Sequence, residues 1–92
     1  MKLEFDPQKN ARNIRDRGLS FEDVPLLDWE NAWVEQDARR DYGEDRYVAY
    51  ACRENRLYIV CFTFRADVLR ILSYRKANRR EEKRYAQETA DR

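Results

Sequence analysis

The chain has 92 residues, 40% of them charged, 42% hydrophobic and 13% aromatic, with a formal net charge of +1. A chain this short makes one domain with a small core and marginal stability, and leaves no room for a separate cofactor domain. It contains no histidine, and its only glycines are Gly18 and Gly43; Ser-His-Asp and Cys-His catalysis are excluded, a zinc site is disfavoured, and no glycine-rich phosphate loop can form.

In chain order, "KLEFD" (2–6) alternates apolar and charged residues and reads as a short strand. Asp6 caps a helix that opens on Pro7, where the missing N–H costs nothing, runs to about Arg17 and stops at Gly18. Its apolar face is thin, essentially Ala11 and Ile14. A second helix is expected in "LSFEDVPLLDW" (19–29), from a Ser20-to-Asp23 capping box and a Leu19–Val24 staple. Pro25 would remove an intrahelical bond there, so this helix is short or starts late. Trp29 and Trp33 are expected to cover the end of the core.

The rest reads as strands: "AWVEQD" (32–37), "RYVAYAC" (46–52), "LYIVCFTF" (57–64) and "VLRILSYR" (68–75), joined by a polar loop turning at Gly43 and by tight turns. Short turns make neighbours pair antiparallel. A last helix over 79–90 is capped by Asn78 with Glu81 three residues on, and Glu81 and Glu82 favour its positive end. The expected fold is α+β, in the order β-α-α-β-β-β-β-α: an antiparallel meander with the helices packed on one face. Strict alternation puts Tyr47, Ala49, Ala51, Tyr58, Val60, Phe62, Phe64, Leu69, Ile71, Ser73 and Arg75 on one face. Arg46, Val48, Tyr50, Cys52, Leu57, Ile59, Cys61, Thr63, Val68, Arg70, Leu72 and Tyr74 share the other. One face is expected under the helices and the other concave, partly aromatic and dotted with arginine.

Cys52 and Cys61 are too few for a disulfide scaffold. On a hairpin turning at Glu54-Asn55, Cys52 lies opposite Leu57 and Cys61 opposite Val48, too far apart to bond. Reduced thiols and the lack of a signal peptide or membrane-length apolar run fit a cytoplasmic protein.

The small net charge hides an asymmetry. Residues 65–92 carry +4 and residues 1–64 carry −3, and Ser20–Asp37 holds six acids with no Lys or Arg. Such a molecule is either a mixed solvated surface or one with an anion-binding region and an acidic region for a basic partner. No carboxylate spacing marks a glycosidase pair. What remains is arginine and lysine interleaved with tyrosine in "RILSYRKANRREEKRY" (70–85). Guanidinium groups bind phosphate bidentately and tyrosine stacks on unpaired bases, so the pattern suits RNA. Arg79, Arg80, Lys83 and Arg84 also fit a plain solvated helix surface. Arg46, Arg70 and Arg75 sit within apolar strands, where an unpaired cation is costly; they need carboxylate partners such as Asp41 or Glu44, or else a ligand. Metal-free RNA cleavage by the 2′-hydroxyl would ask the protein only to align two oxygens and stabilise the phosphorane, with Glu, Asp, Lys or Tyr as proton acceptor.

Three stretches, "FDPQKNARNIRDRGLSFED" (5–23), "DYGEDRYVAY" (41–50) and "CFTFRADVLRILSYRKANRREEKRY" (61–85), carry a resemblance in their order and spacing. The chain resembles the BrnT toxins of bacterial type II toxin–antitoxin systems, which have a RelE/ParE-like fold. The resemblance implies an RNA-cleaving toxin without a cofactor, neutralised by a BrnA-type ribbon-helix-helix antitoxin, with DNA bound only through the antitoxin complex. It implies Arg46, Arg70 and Arg75 for phosphate and transition-state binding, and Lys9, Lys76, Arg79 and Arg80 for the RNA backbone. Ser73 falls on another of the family's polar positions and also fits a small core residue. The chain departs from the pattern at Asp16-Arg17-Gly18, where the family has Lys-His before the glycine; Arg17 could still bind phosphate. It departs again at Arg65-Ala66-Asp67, where Arg-Gly-Asp is common, and at Tyr74, where a small residue is usual.

Two other readings follow from the missing histidine and the fold analogy: a degenerate toxin that only binds its antitoxin as co-repressor, and a ParE-like topoisomerase inhibitor. The nuclease reading requires the strand guanidiniums to open on a cavity rather than be closed off by internal carboxylates.

Overall fold

The computed structural model describes residues 2–91. Strand β1 (Lys2–Glu4) leads into helix α1 (Pro7–Arg17). The Asp6 carboxylate accepts the Gln8 N–H at 2.9 Å, Pro7 opens the first turn, and Gly18 closes the helix at φ 70° with its N–H on the Ile14 carbonyl. Ala11 and Ile14 are exposed, so the thin apolar face does not hold α1 down. Two asparagines do: Asn10 accepts the Phe21 N–H at 2.7 Å, and Asn13 donates to the carbonyls of Leu19 and Tyr74, each at 2.9 Å.

The expected second helix is replaced by two 3₁₀ segments, Phe21–Leu26 and Trp29–Asn31. Pro25 accounts for this, since a tighter and shorter helix loses less from a missing donor. The Ser20 hydroxyl caps the Glu22 N–H at 3.2 Å rather than forming a box with Asp23. Phe21, Val24 and Leu27 are driven into the core.

Strands β2 (Trp33–Gln36), β3 (Arg46–Arg53), β4 (Arg56–Arg65) and β5 (Val68–Lys76) make the expected antiparallel meander. The β3–β4 turn has Glu54 at φ 51° and Asn55 at φ 65°, the positive values of a two-residue hairpin, and sets Cys52 opposite Leu57 and Val48 opposite Cys61. Both thiols are free.

The sheet is mixed, not purely antiparallel. β1 joins β5 in parallel, Leu3 opposite Leu69, giving the order β1-β5-β4-β3-β2. No short turn links β1 to its partner, so local sequence does not dictate its direction.

A bulge also breaks the alternation in β5. Cys61 pairs with Ser73 but Phe62 pairs with Ile71, which leaves Leu72 as the extra residue. Past it the parity reverses. Tyr74 moves to the inner face with Ala49, Ala51, Val60, Phe62, Leu69 and Ile71, while Ser73 and Arg75 move to the face of Tyr50 and Ile59.

The helices do not all lie on one face. The Phe21–Leu26 segment packs on the inner cluster, whereas helix α2 (Arg79–Glu88) sets Tyr85 against the opposite cluster of Tyr50, Leu57, Ile59 and Ala77. Trp29 and Trp33 likewise go to opposite faces, against Phe62 and Tyr50. α2 starts on the expected box, with Asn78 and Glu81 each accepting the other's N–H at 2.9 Å. Among the described residues no helix is long and apolar enough to cross a membrane.

Candidate active site

The parity reversal at Leu72 brings Arg46, Arg70 and Arg75 to one face, where strict alternation would have separated Arg75. Three cross-strand rows cover this face: Glu4–Arg70–Thr63–Arg46, Ser73–Cys61–Val48–Glu35 and Arg75–Ile59–Tyr50–Trp33. Arg70 and Arg46 are thus two strand spacings apart, about 10 Å. Thr63 between them is buried, its hydroxyl donating to the Asp45 carbonyl at 2.6 Å.

Each of the three arginines meets a carboxylate. Arg70 pairs with Glu4, its neighbour in the parallel ladder. Arg46 lies 4.1 Å over the Tyr42 ring and donates to Glu44 at 3.3 Å, while Asp41 instead caps the Gly43 N–H. Arg75 makes a two-pronged pair with Glu81, at 2.8 and 2.7 Å. That pair raises the Arg75 guanidinium and holds the Glu81 carboxyl below the usual range, so both stay charged at neutral pH.

The three arginines do not open on one cavity: Glu4 closes on Arg70, Arg46 lines a separate cleft with Arg39, Arg40 and Tyr42, and Arg75 lines a groove. Between α2, β2 and the loop after β2 lies this groove of about 350 Å³, lined among others by Glu35, Tyr50, Cys61, Arg75, Glu81 and Arg84. Glu81, Arg84 and Tyr85 share one side of α2 because three- and four-residue steps return to the same helical face. Arg84 donates to Glu35 at 3.1 Å and lies 4.9 Å over the Trp33 ring. Burial pushes the Tyr50 hydroxyl up, so it stays protonated, and it lies within electrostatic reach of Arg84, Glu35, Glu81 and Arg75. At the groove's far wall the Asp37 carboxylate is only 6% exposed and accepts from Arg39 twice at 2.8 Å and from the Tyr42 hydroxyl at 3.1 Å. The Arg39 hydrogen bonds hold it far below the carboxylate range, against the opposing effect of burial.

The groove carboxylates therefore differ. Asp37 and Glu81 are each held by several donors, whereas among the described residues Glu35 accepts one side-chain hydrogen bond, from Arg84.

Lys9 and Arg17 lie elsewhere, lining a separate cleft of about 250 Å³ beside α1 together with Arg12; Ser73, in the middle row of the arginine face, also borders that cleft. Lys76, Arg79 and Arg80 are exposed where β5 passes into α2 and form no ion pair among the described residues. Sequence reasoning missed Glu35, Tyr50, Glu81 and Arg84 as site residues. The signal was present: Glu35 and Tyr50 have the parity of the arginine face, and Glu81 and Arg84 are one helical step apart.

Residues 5–81 match the family model of the ribonuclease toxin BrnT of type II toxin–antitoxin systems. Comparison with curated proteins gives no match. The match takes in Glu35, Tyr50, Arg75 and Glu81 and ends in the first turn of α2, before Arg84. Covering most of the chain, it establishes that the protein belongs to the BrnT family, the ribonuclease toxins of type II toxin–antitoxin systems.

Proposed function

We propose that the chain is an endoribonuclease that cuts RNA without a metal ion, in the groove between α2 and β2, and that a BrnA-like ribbon-helix-helix antitoxin restrains it and carries the pair to DNA. We place it in the cytoplasm, where its RNA is found, and relate its fold to the RelE/ParE group. The observation that carries the reading is the groove itself: two guanidiniums, Arg75 and Arg84, and the Glu35 carboxylate that accepts from Arg84, gathered around the buried Tyr50 hydroxyl.

In this mechanism the scissile phosphate displaces Glu81 and Glu35 from the two arginines, which then hold its non-bridging oxygens. Glu35 takes the proton of the 2′-hydroxyl as that oxygen bonds to phosphorus. Negative charge grows on the phosphorane and the guanidiniums stabilise it. The bond from phosphorus to the 5′-oxygen breaks and Tyr50 supplies that oxygen with a proton, leaving a 2′,3′-cyclic phosphate and a 5′-hydroxyl. Arg46 and Arg70, on the same face, extend the anion-binding surface, and Lys9, Arg17, Ser73, Lys76, Arg79 and Arg80 take the RNA backbone beyond it.

The test is cleavage of RNA by purified protein in excess EDTA, with the ends analysed. Cyclic phosphate ends are expected, and Glu35→Gln and Arg75→Ala should each lower the rate by about 10²-fold or more. Cleavage that needs added magnesium, or that survives both substitutions, overturns the mechanism.

A second reading has its own support. The carboxylates on Arg46, Arg70 and Arg75, with no histidine in the chain, fit a toxin that binds its antitoxin as co-repressor without cutting. Tight antitoxin binding with intact RNA and normal growth would establish it. DNA damage with intact RNA would point instead to a ParE-like topoisomerase inhibitor.

A further inference from the structure

The inner face of the sheet is not fully covered. Beyond the Phe21–Leu26 segment it leaves Phe64 48% exposed and Val34 45% exposed. Leu3, Leu69 and Phe64 stand in one cross-strand row. Leu3 and Leu69, with Val24, Pro25 and Trp29, line a mostly apolar cleft of about 260 Å³. Trp29 continues it edge-on through Phe62 at 5.9 Å to Phe64 at 5.7 Å. The result is one apolar strip from β1 to the end of β4.

Among charged side chains, the 3₁₀ segments beside this strip carry only acidic ones, of which Asp23 is paired with Arg53. The 3₁₀ segments that supply Val24, Pro25 and Trp29 also carry Glu22 and Glu30, both exposed and without an ion pair among the described residues. From Gly18 to Ala38 there is no Lys or Arg. An acidic rim repels RNA and anionic membranes. It also disfavours a two-fold pairing of two copies, which would set acid against acid. It suits a protein segment with apolar anchors and basic flanks. Membership in a type II family implies a protein partner, the antitoxin.

We propose that the antitoxin docks on this inner face: apolar side chains enter the cleft and cover Phe64, and Lys or Arg side chains meet Glu22 and Glu30. The groove of Arg75 and Arg84 is on the opposite face, so docking and access to the groove are separate properties of the molecule. The proposal rests on family membership and not on the cleavage mechanism.

The test is direct binding of purified toxin variants to the antitoxin encoded in the same operon, by calorimetry. Phe64→Asp should weaken binding by about tenfold or more, as loss of an apolar anchor does. The double variant Glu22→Lys, Glu30→Lys should weaken it by a similar factor and reverse its salt dependence. Arg75→Ala should bind as the wild type does. Thermal melts establish that each variant is folded; should Phe64→Asp fail to fold, the charge reversal at two exposed positions decides alone. Affinity within about twofold of wild type in the folded variants overturns the proposal. So does a free toxin that is dimeric by light scattering and that Phe64→Asp makes monomeric, because a second copy would then own the face. RNA cleavage is not read in any arm, so failure here leaves the nuclease reading untouched, and the converse holds.

Discussion

Two side chains decide much at the residue scale. Tyr74 is 1% exposed on the inner face, and its hydroxyl makes no hydrogen bond within 3.5 Å among the described residues, with the Arg53 guanidinium in electrostatic reach but not closed on it. A buried, unpaired hydroxyl costs about 1–3 kcal/mol. Tyr74→Phe keeps the ring and its packing 5.3 Å from Tyr58, so it should stabilise the fold by about 1 kcal/mol, read as a melting temperature higher by about 4–8 °C. A lower melting temperature would mean that Arg53 or a water satisfies the hydroxyl. Glu81 works in the other direction, since one carboxylate caps α2 and neutralises Arg75. Its pKa is lowered on folding, chiefly by the Arg75 hydrogen bonds, so its contribution is fully present above the ordinary glutamate pKa and is lost as pH falls through the depressed folded value. Glu81→Gln should cost about 1–2 kcal/mol at pH 7 and progressively less as pH falls through the depressed folded value. Melting curves for both proteins across that range check the sign: they should converge in acid, and a gap of constant size would remove linkage as the cause.

At the element scale, what could be read from the sequence was what neighbours in the chain determine. The Asp6-Pro7 start and Gly18 stop of α1, the Asn78–Glu81 box and the hairpin register at Cys52 and Cys61 are all local chemistry, and the structure has them. What was not legible depends on distant or irregular backbone. The direction of β1 is set by a strand more than sixty residues away. The Leu72 bulge has no composition of its own, yet it reverses the facing of Ser73, Tyr74 and Arg75 and so builds the candidate site. α1 is held by Asn10 and Asn13 rather than by an apolar stripe, which a search for periodicity cannot find. The β4–β5 turn is an intermediate case. Ala66 adopts φ 55°, the left-handed region that suits glycine, and glycine is the residue that the family resemblance leads one to expect there. Ala66→Gly removes a steric cost of about 1–2 kcal/mol and adds a smaller one in chain entropy. The turn should be stabilised by about 0.5–1 kcal/mol net, seen as a rise in the denaturant midpoint with the slope unchanged; a fall would show that the alanine is not strained.

At the scale of the whole molecule, the nearly neutral net charge conceals cations of two kinds. Arg46, Arg70, Arg75 and Arg84 are each tied to a carboxylate. Lys9, Arg12 and Arg17 beside the α1 cleft, and Arg79, Arg80 and Lys83 on α2, form no ion pair among the described residues. The two kinds should affect RNA binding differently. An unpaired cation that meets a phosphate releases a counterion, and each such contact on a single strand adds about 0.7 to the slope of log affinity against log salt. A paired cation must first give up its carboxylate, so it adds geometry more than salt dependence. Replacing Lys9, Arg12 and Arg17 together by alanine should therefore flatten the slope for a labelled single-stranded RNA by about 2. Replacing Arg46 and Arg70 should weaken binding with little change in slope. Fluorescence anisotropy over a range of potassium chloride concentrations measures both. If the α1 triple variant keeps the wild-type slope, RNA does not run along that cleft, and the backbone track lies on the α2 cations instead. If the slope falls equally in both variants, the internal carboxylates do not neutralise Arg46 and Arg70 in solution, and the arginine face is then an open anion site in the free protein.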